Sequence, residues 1–359
     1  LLVAFVATFL LPNISTFEGG KFATGIPFLI RIWGNFDGYH YMEIAQRGYQ
    51  NLEQGFFPLF PILIRSFTTI FQTPLIISGQ IISNLSFIAS LFIINKLLII
   101  DKKKKLFNLL VFIIIFFPTS FFYGAVYNDS FFFLLTTLTI YFSRKKMWIL
   151  ASIFGAFATL TRLNGLALFI FIIAEYIITY KIKLTNFNLK SLIKNNLWFV
   201  FLIPLSFIGY LIYIQIKFSD WHLVFSSMKI WGQDKLTFPL VVFWRYFKII
   251  VLYPTFHLNY WVAVFELLMV IFYILLLFYS YKKIRFSYWI LFALSILIPS
   301  LTGTFQGMPR YGLHLFPMYL SLSLFLENRG LFVKFLYFTI SIILLIFALT
   351  LFTRGYFIA

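Results

Sequence analysis

The sequence predicts an all-α polytopic membrane protein, and three observations carry that expectation. Of 359 residues, 61% are hydrophobic and only 11% are charged, with a mean hydropathy of +0.93, whereas a soluble globular chain carries about 25% charged residues. Apolar runs such as 106–123 and 331–352 are long enough to cross the ~30 Å hydrocarbon core as helices. The basic residues lie between apolar runs instead of forming one stripe, as the positive-inside rule requires.

That distribution also explains the net charge of +18. It speaks against nucleic acid as a partner, because the motifs such binding needs are absent. With no cysteine, disulfides, thiol catalysis and Cys-ligated metals are excluded. The 51 Phe, with abundant Ile, Lys and Asn, point to a nucleotide-composition bias more than to chemistry.

Apolar runs read against basic punctuation predict about eleven helices in a single domain, 1–359. The first run, 1–11, spans only ~17 Å as a helix, so the numbering begins inside a first membrane helix or a few native residues precede it. A signal peptide is the rival reading, without a charged n-region or a small-residue cleavage site. Residues 12–73 form a first external loop rich in aromatic and polar residues. A helix over 74–100 stops at Asp101-Lys102-Lys103-Lys104-Lys105. The next spans 106–126, and a return helix over 130–142 ends at Arg144-Lys145-Lys146. A helix over 147–161 meets Arg162, and one over 165–180 stops before Lys181, Lys183, Lys190 and Lys194. After a helix over 197–216, residues 217–257 form a second external loop, with an interfacial helix at 240–253. Four helices complete the chain at 260–281, 286–301, 311–326 and 331–352.

The alternation gives a topology. Loops 101–105, 143–146, 181–195, 282–285 and 327–330 carry fifteen Lys or Arg against two acids, Asp101 and Glu327. These loops are expected to be cytoplasmic. Asp37, Glu43, Glu53, Asp129, Asp220 and Asp234 then face outward with both long loops.

In the first external loop Asp37 opens a short helix that Gly48 stops, lying along the membrane surface. Asp37, His40 and Tyr41 share one face at i, i+3 and i+4. Phe57-Pro58 and Phe60-Pro61 end any helix there and turn the chain back to the bilayer. From position alone Asp37 reads as an N-cap, satisfying free backbone N–H groups, or as a catalytic carboxylate.

Four separated stretches resemble the PIG-V family, the second mannosyltransferase of GPI-anchor assembly, and its bacterial relatives. The first runs from Asn35-Phe36-Asp37-Gly38 through Tyr39-His40-Tyr41, Ile44-Ala45 and Gly48-Tyr49 to Phe56-Phe57-Pro58-Leu59-Phe60-Pro61. The others are Tyr127-Asn128-Asp129-Ser130-Phe131-Phe132, Ala158-Thr159-Leu160-Thr161-Arg162-Leu163-Asn164-Gly165 and Gln306-Gly307-Met308-Pro309-Arg310-Tyr311. The family's Arg and Trp before the Asp are replaced by Asn35 and Phe36, and its Ser by Gly38. The resemblance implies a GT-C-type glycosyltransferase that moves mannose or another hexose from a polyprenyl-phosphate donor to an acceptor hydroxyl on the outer face. A lipid or glycan is the implied acceptor, with membrane lipids as surroundings.

On that reading Asp37 is the general base. Arg310 and Arg162 contact the donor phosphate, since a guanidinium matches phosphate bidentately. His40 assists them, and Tyr41, Asp129 and Tyr311 bind substrate. Each has a plainer alternative: His40 as a packed interfacial ring, Arg310 as a snorkelling flank charge, and Arg162 as the structural partner of Asp129. No Asp-x-Asp pair is present, so neither a metal nor another cofactor is expected. In the second loop His222, Trp231, Asp234 and Arg245 read as a sugar platform or as an aromatic belt.

Two other classes compete. A transporter or flippase would place paired charges near the midplane, whereas Glu175 and Glu266 lie near helix ends. A polysaccharide polymerase or ligase of lipid-linked glycans would share the donor, but its key groups usually sit in a large late loop.

Overall fold

The computed structural model describes residues 2–12, 25–50, 52–182, 196–233 and 236–358, and among them every regular element is helical. The longer helices in chain order are α1 (Leu2–Leu10), α2 (Asp37–Arg47), α3 (Leu59–Phe71), α4 (Leu75–Ile100), α5 (Phe107–Ile115), α6 (Asp129–Arg144) and α7 (Trp148–Thr159). They continue with α8 (Ala167–Tyr180), α9 (Leu202–Phe218), α10 (Pro239–Leu252), α11 (Leu258–Ser280), α12 (Phe286–Ser300), α13 (Phe316–Glu327) and α14 (Leu331–Thr353). Five described stretches are long and apolar enough to cross a membrane: Leu75–Ile100, Leu163–Tyr180, Leu197–Phe218, Leu258–Ser280 and Leu331–Thr353. The chain is therefore an integral membrane protein. Lys183, Lys190, Lys194 and Asp234 lie outside the described residues, as does the side chain of Trp231.

Helix α4 shows how these helices meet lipid and each other. Leu85, Ile88, Phe92 and Ile99 are exposed along one face, while Ser83, Ser86, Ser90 and Leu97 are buried on another. The apolar stripe faces outward because lipid is as apolar as leucine, and small polar residues let helices approach closely. Gly79 lies so close to Val126 that an added Cβ would stand 2.4 Å from a Val126 methyl carbon. The Ser83 hydroxyl donates to the Tyr127 carbonyl at 3.0 Å.

Three expectations fail at prolines. The run 106–126 is not one helix: α5 stops at Ile115, just before Phe116-Phe117-Pro118, and a 3-10 turn follows at Ser120–Gly124. Proline has no N–H to continue the ladder. The broken backbone instead sets side chains toward distant carbonyls, with Thr119 donating to Pro309 at 2.9 Å and Tyr123 to Leu313 at 2.5 Å. The run 311–326 likewise begins as two short turns, Met308–Tyr311 and Gly312–His314, before α13 starts at Phe316 with Pro317 in its first turn. In the first loop Pro58 and Pro61 open a helix instead of ending one. Pro61 occupies the first turn of α3, where no intrahelical N–H is required.

Among the described residues, four of the basic loops, 101–105, 143–146, 282–285 and 327–330, converge at one end of the bundle. Arg144 pairs with Asp101 at 2.7 Å and Glu175 at 3.1 Å, Arg285 with Glu175 at 2.6 Å, and Lys105 with Glu327 at 2.9 Å. These bonds tie together the ends of α4, α6, α8, α12 and α13. Helix α6 carries Arg144 at this end and Asp129 at the other, a rise of ~22 Å.

Candidate active site

Asp37 is the first residue of α2, whose N-cap position is held by Phe36, a side chain with no capping bond to give. Phe36 has φ 54° and ψ −116°, a region that costs a non-glycine residue about 1–3 kcal/mol. Its ring packs against Phe352 at 5.9 Å and Phe357 at 5.6 Å, which offsets the strain. The Asp37 carboxylate reaches across the bundle, where its Oδ2 stands 2.8 Å from Arg310 Nη1.

Arg310 rides on the Met308–Tyr311 turn, entered through Gly307 at φ 84°, a conformation that glycine adopts without strain. Hydroxyls of Thr119 and Tyr273 donate to Pro309 O at 2.9 and 3.2 Å, holding the turn from the break after α5 and from α11. The guanidinium lies over Tyr127 at 5.1 Å and Phe122 at 5.4 Å, and its Nε stands 3.5 Å from Asp129 Oδ1. It does not snorkel, since its side chain is only 11% exposed.

Asp129 begins α6 and is fully buried. Its Oδ1 accepts from Arg162 Nη1 at 2.7 Å and lies 2.6 Å from His314 Nε2. Arg162 Nη1 is also 2.7 Å from the same ring nitrogen, which donates to the carboxylate in one tautomer and accepts from the guanidinium in the other. The Arg162 guanidinium covers the Tyr311 ring at 5.4 Å. Asp129 is thus the hub that both arginines share. The formal charges of Asp37 and Asp129 cancel those of Arg162 and Arg310.

These groups form one wall of a cavity of about 470 Å³, within the range of sites for drug-sized ligands. Its lining combines the polar side chains of Asp37, Tyr41, Asn128, Arg162, Arg310 and Tyr311 with apolar ones that include Val224, Phe225, Met228, Leu236, Ile298 and Leu301. Burial pushes the Tyr41 phenol well above its usual range, so it presents a hydroxyl. Asn128 is buried, with its Nδ2 donating to Thr161 O at 2.8 Å and its Oδ1 unpartnered.

Six of the seven predicted site residues, Asp37, Tyr41, Asp129, Arg162, Arg310 and Tyr311, therefore assemble in or directly behind one cavity wall. His40 does not. It is not among the lining residues but stacks at 4.8 Å on Phe56, which is. Burial holds its pKa below the ordinary 6.5 against the pull of Asp37 and Glu43, so it is a poor phosphate-binding cation. Glu43 and Glu53 pair with Arg47, and Asp220 accepts from the His222 N–H at 2.9 Å.

The second long loop contributes Val224, Phe225, Met228 and Leu236 to the lining, while His222 stacks on Trp221 at 3.7 Å and Arg245 donates to Gly303 O at 2.5 Å. Among the described residues no group of three or more His, Asp or Glu has metal-ligand geometry.

His314 escaped the sequence reading. The signal was present, because it follows Arg310 by four residues and so falls on the same side of a helical turn. No family model matches the chain, and no curated protein or solved structure matches it.

Proposed function

We propose that this protein is a GT-C-type glycosyltransferase of the kind its resemblance to the PIG-V family implies. It moves mannose or another hexose from a polyprenyl-phosphate donor to an acceptor hydroxyl. The proposed setting is the outer face of a bacterial cytoplasmic membrane, with about eleven passes, the shorter apolar helices included.

The observation that carries the reading is the contact between Asp37 and Arg310 in the lining of a cavity that combines charged and apolar side chains. A lipid-linked sugar phosphate combines the same two characters. Its phosphate meets Arg310 and Arg162, and the first isoprene units run along Phe225, Leu236 and Ile298.

In the reaction, the acceptor oxygen bonds to the anomeric carbon as the bond from that carbon to the phosphate oxygen breaks. Asp37 takes the hydroxyl proton. Polyprenyl phosphate departs with its added negative charge held by the guanidinium groups. Because Arg162 and Arg310 are paired with Asp129 and Asp37, an arriving phosphate competes with Asp37 for Arg310. Donor binding thereby frees the carboxylate to act as a base. The apolar lining excludes water, which strengthens each of these interactions.

Incubation of purified protein with radiolabelled polyprenyl-phosphate-mannose and membrane extract tests the proposal. Label is expected to pass into a lipid or glycan product. Absence of transfer with polyprenyl-phosphate mannose and glucose alike would remove the reading.

A further inference from the structure

A second cavity, of about 250 Å³, opens at the basic end, on the far side of the bundle from Asp37. Lys102, Lys103, Arg144, Arg285, Tyr288 and Asp101 line it, and buried Glu175 stands directly behind. The positive-inside rule explains which side these cations occupy. It does not explain why they surround a cavity.

The floor of this cavity is a closed network. Arg144 bridges Asp101 and Glu175, and Arg285 donates to Glu175 at 2.6 Å. Ser287 donates to the same Glu175 oxygen at 2.6 Å, and Tyr288 donates to Asp101 at 2.9 Å. Two carboxylates thus neutralise the two guanidiniums. The remaining acid of this end, Glu327, pairs with Lys105. Lys102 and Lys103 are left as an uncompensated charge of two at the cavity rim. Lys102 is held there by a left-handed backbone at φ 56°. The start of α12 also borders this space, through its N-cap residue Arg285 and through Tyr288 in its first turn.

A phosphate monoester carries nearly two negative charges at neutral pH and accepts hydrogen bonds on three oxygens. It matches both the surplus charge and the array of donors, and basic pockets between membrane helices bind such headgroups. We propose that this cavity binds a phosphate monoester, borne on a lipid headgroup or free in solution, and that it clamps the ends of α4, α6 and α12 from the side opposite the active site.

The experiment follows the thermal midpoint of the purified full chain in dodecyl maltoside. Titrants are dioctanoyl phosphatidic acid, inorganic phosphate and dioctanoyl phosphatidylcholine. Phosphatidic acid is expected to raise the midpoint saturably and phosphatidylcholine to leave it unchanged, since a ligand that binds only the folded state stabilises it. The rim pair Lys102→Gln/Lys103→Gln, one exposed and one half-buried, should fold normally and weaken half-saturation by about tenfold or more. A charge-matched control, Lys104→Gln/Lys145→Gln, should retain the wild-type response. A shift with inorganic phosphate as well assigns the site to the phosphate alone, and a shift only with phosphatidic acid assigns it to a lipid. No shift with either, or equal weakening in the two double variants, overturns the proposal.

Discussion

Arg310 Nη1 lies 2.8 Å from Asp37 Oδ2, joining a turn late in the chain to the first residue of α2. Neither side chain is more than 15% exposed, so this is an ion pair held within the protein, where breaking it leaves a charge uncompensated. It couples the proposed base to the proposed phosphate contact.

Asp37→Asn keeps the shape of the side chain and removes its basicity. Turnover is expected to fall by about 10²–10⁴, while donor binding persists because Arg310 and Arg162 remain. Steady-state kinetics on the purified variant decides the matter, and near-normal kcat in a folded variant ends the mechanism.

Arg310→Lys retains the charge but loses the planar fork. Donor KM should rise by about tenfold or more, the loss of one charge-assisted hydrogen bond, with a smaller change in kcat than in Asp37→Asn. Equal effects on kcat from both substitutions would show that Arg310 does not act on the donor.

Asp129→Asn leaves Arg162 and part of Arg310 buried without their shared counter-charge. Breaking such a cluster costs about 3–5 kcal/mol, so the thermal midpoint should drop well before any assay of transfer is possible. A variant as stable as the wild type would make Asp129 a substrate contact instead of a structural hub.

Burial holds His40 below its ordinary pKa of 6.5 despite the carboxylates of Asp37 and Glu43. As pH falls through about 6.5, the unfolded chain takes up this proton before the folded one. The contribution of His40 to stability is therefore complete above pH 6.5 and declines below it. His40→Phe keeps the stack on Phe56 and should flatten that part of the stability–pH profile; an unchanged slope would assign it to other groups.

The chain has no native cysteine, so single substitutions report topology without background from the protein itself. Gln50→Cys should react with a membrane-impermeant thiol reagent in intact cells, and Lys103→Cys only after permeabilisation. Labelling of Lys103→Cys from outside would invert the orientation and move the active-site cavity to the other face.

By itself, the sequence determined that this is an integral membrane protein, and it placed several helices to within a residue or two, as at Leu75–Ile100 and Leu331–Thr353. Those are local properties: apolar length and basic punctuation act on each segment independently of its neighbours. It also marked Asp37, Arg162, Arg310, Tyr41 and Tyr311, which meet at one cavity. What it left open were the partners. Whether Asp37 caps its helix or reaches Arg310 depends on a turn that the Phe117-Pro118 break and Gly307 bring over it. His314 acquires significance only beside Asp129, and Pro61 opens a helix only because the chain before it is already turned. Tertiary structure decided these because a side-chain bond depends on distance in space, which for these residues bears no relation to distance along the chain.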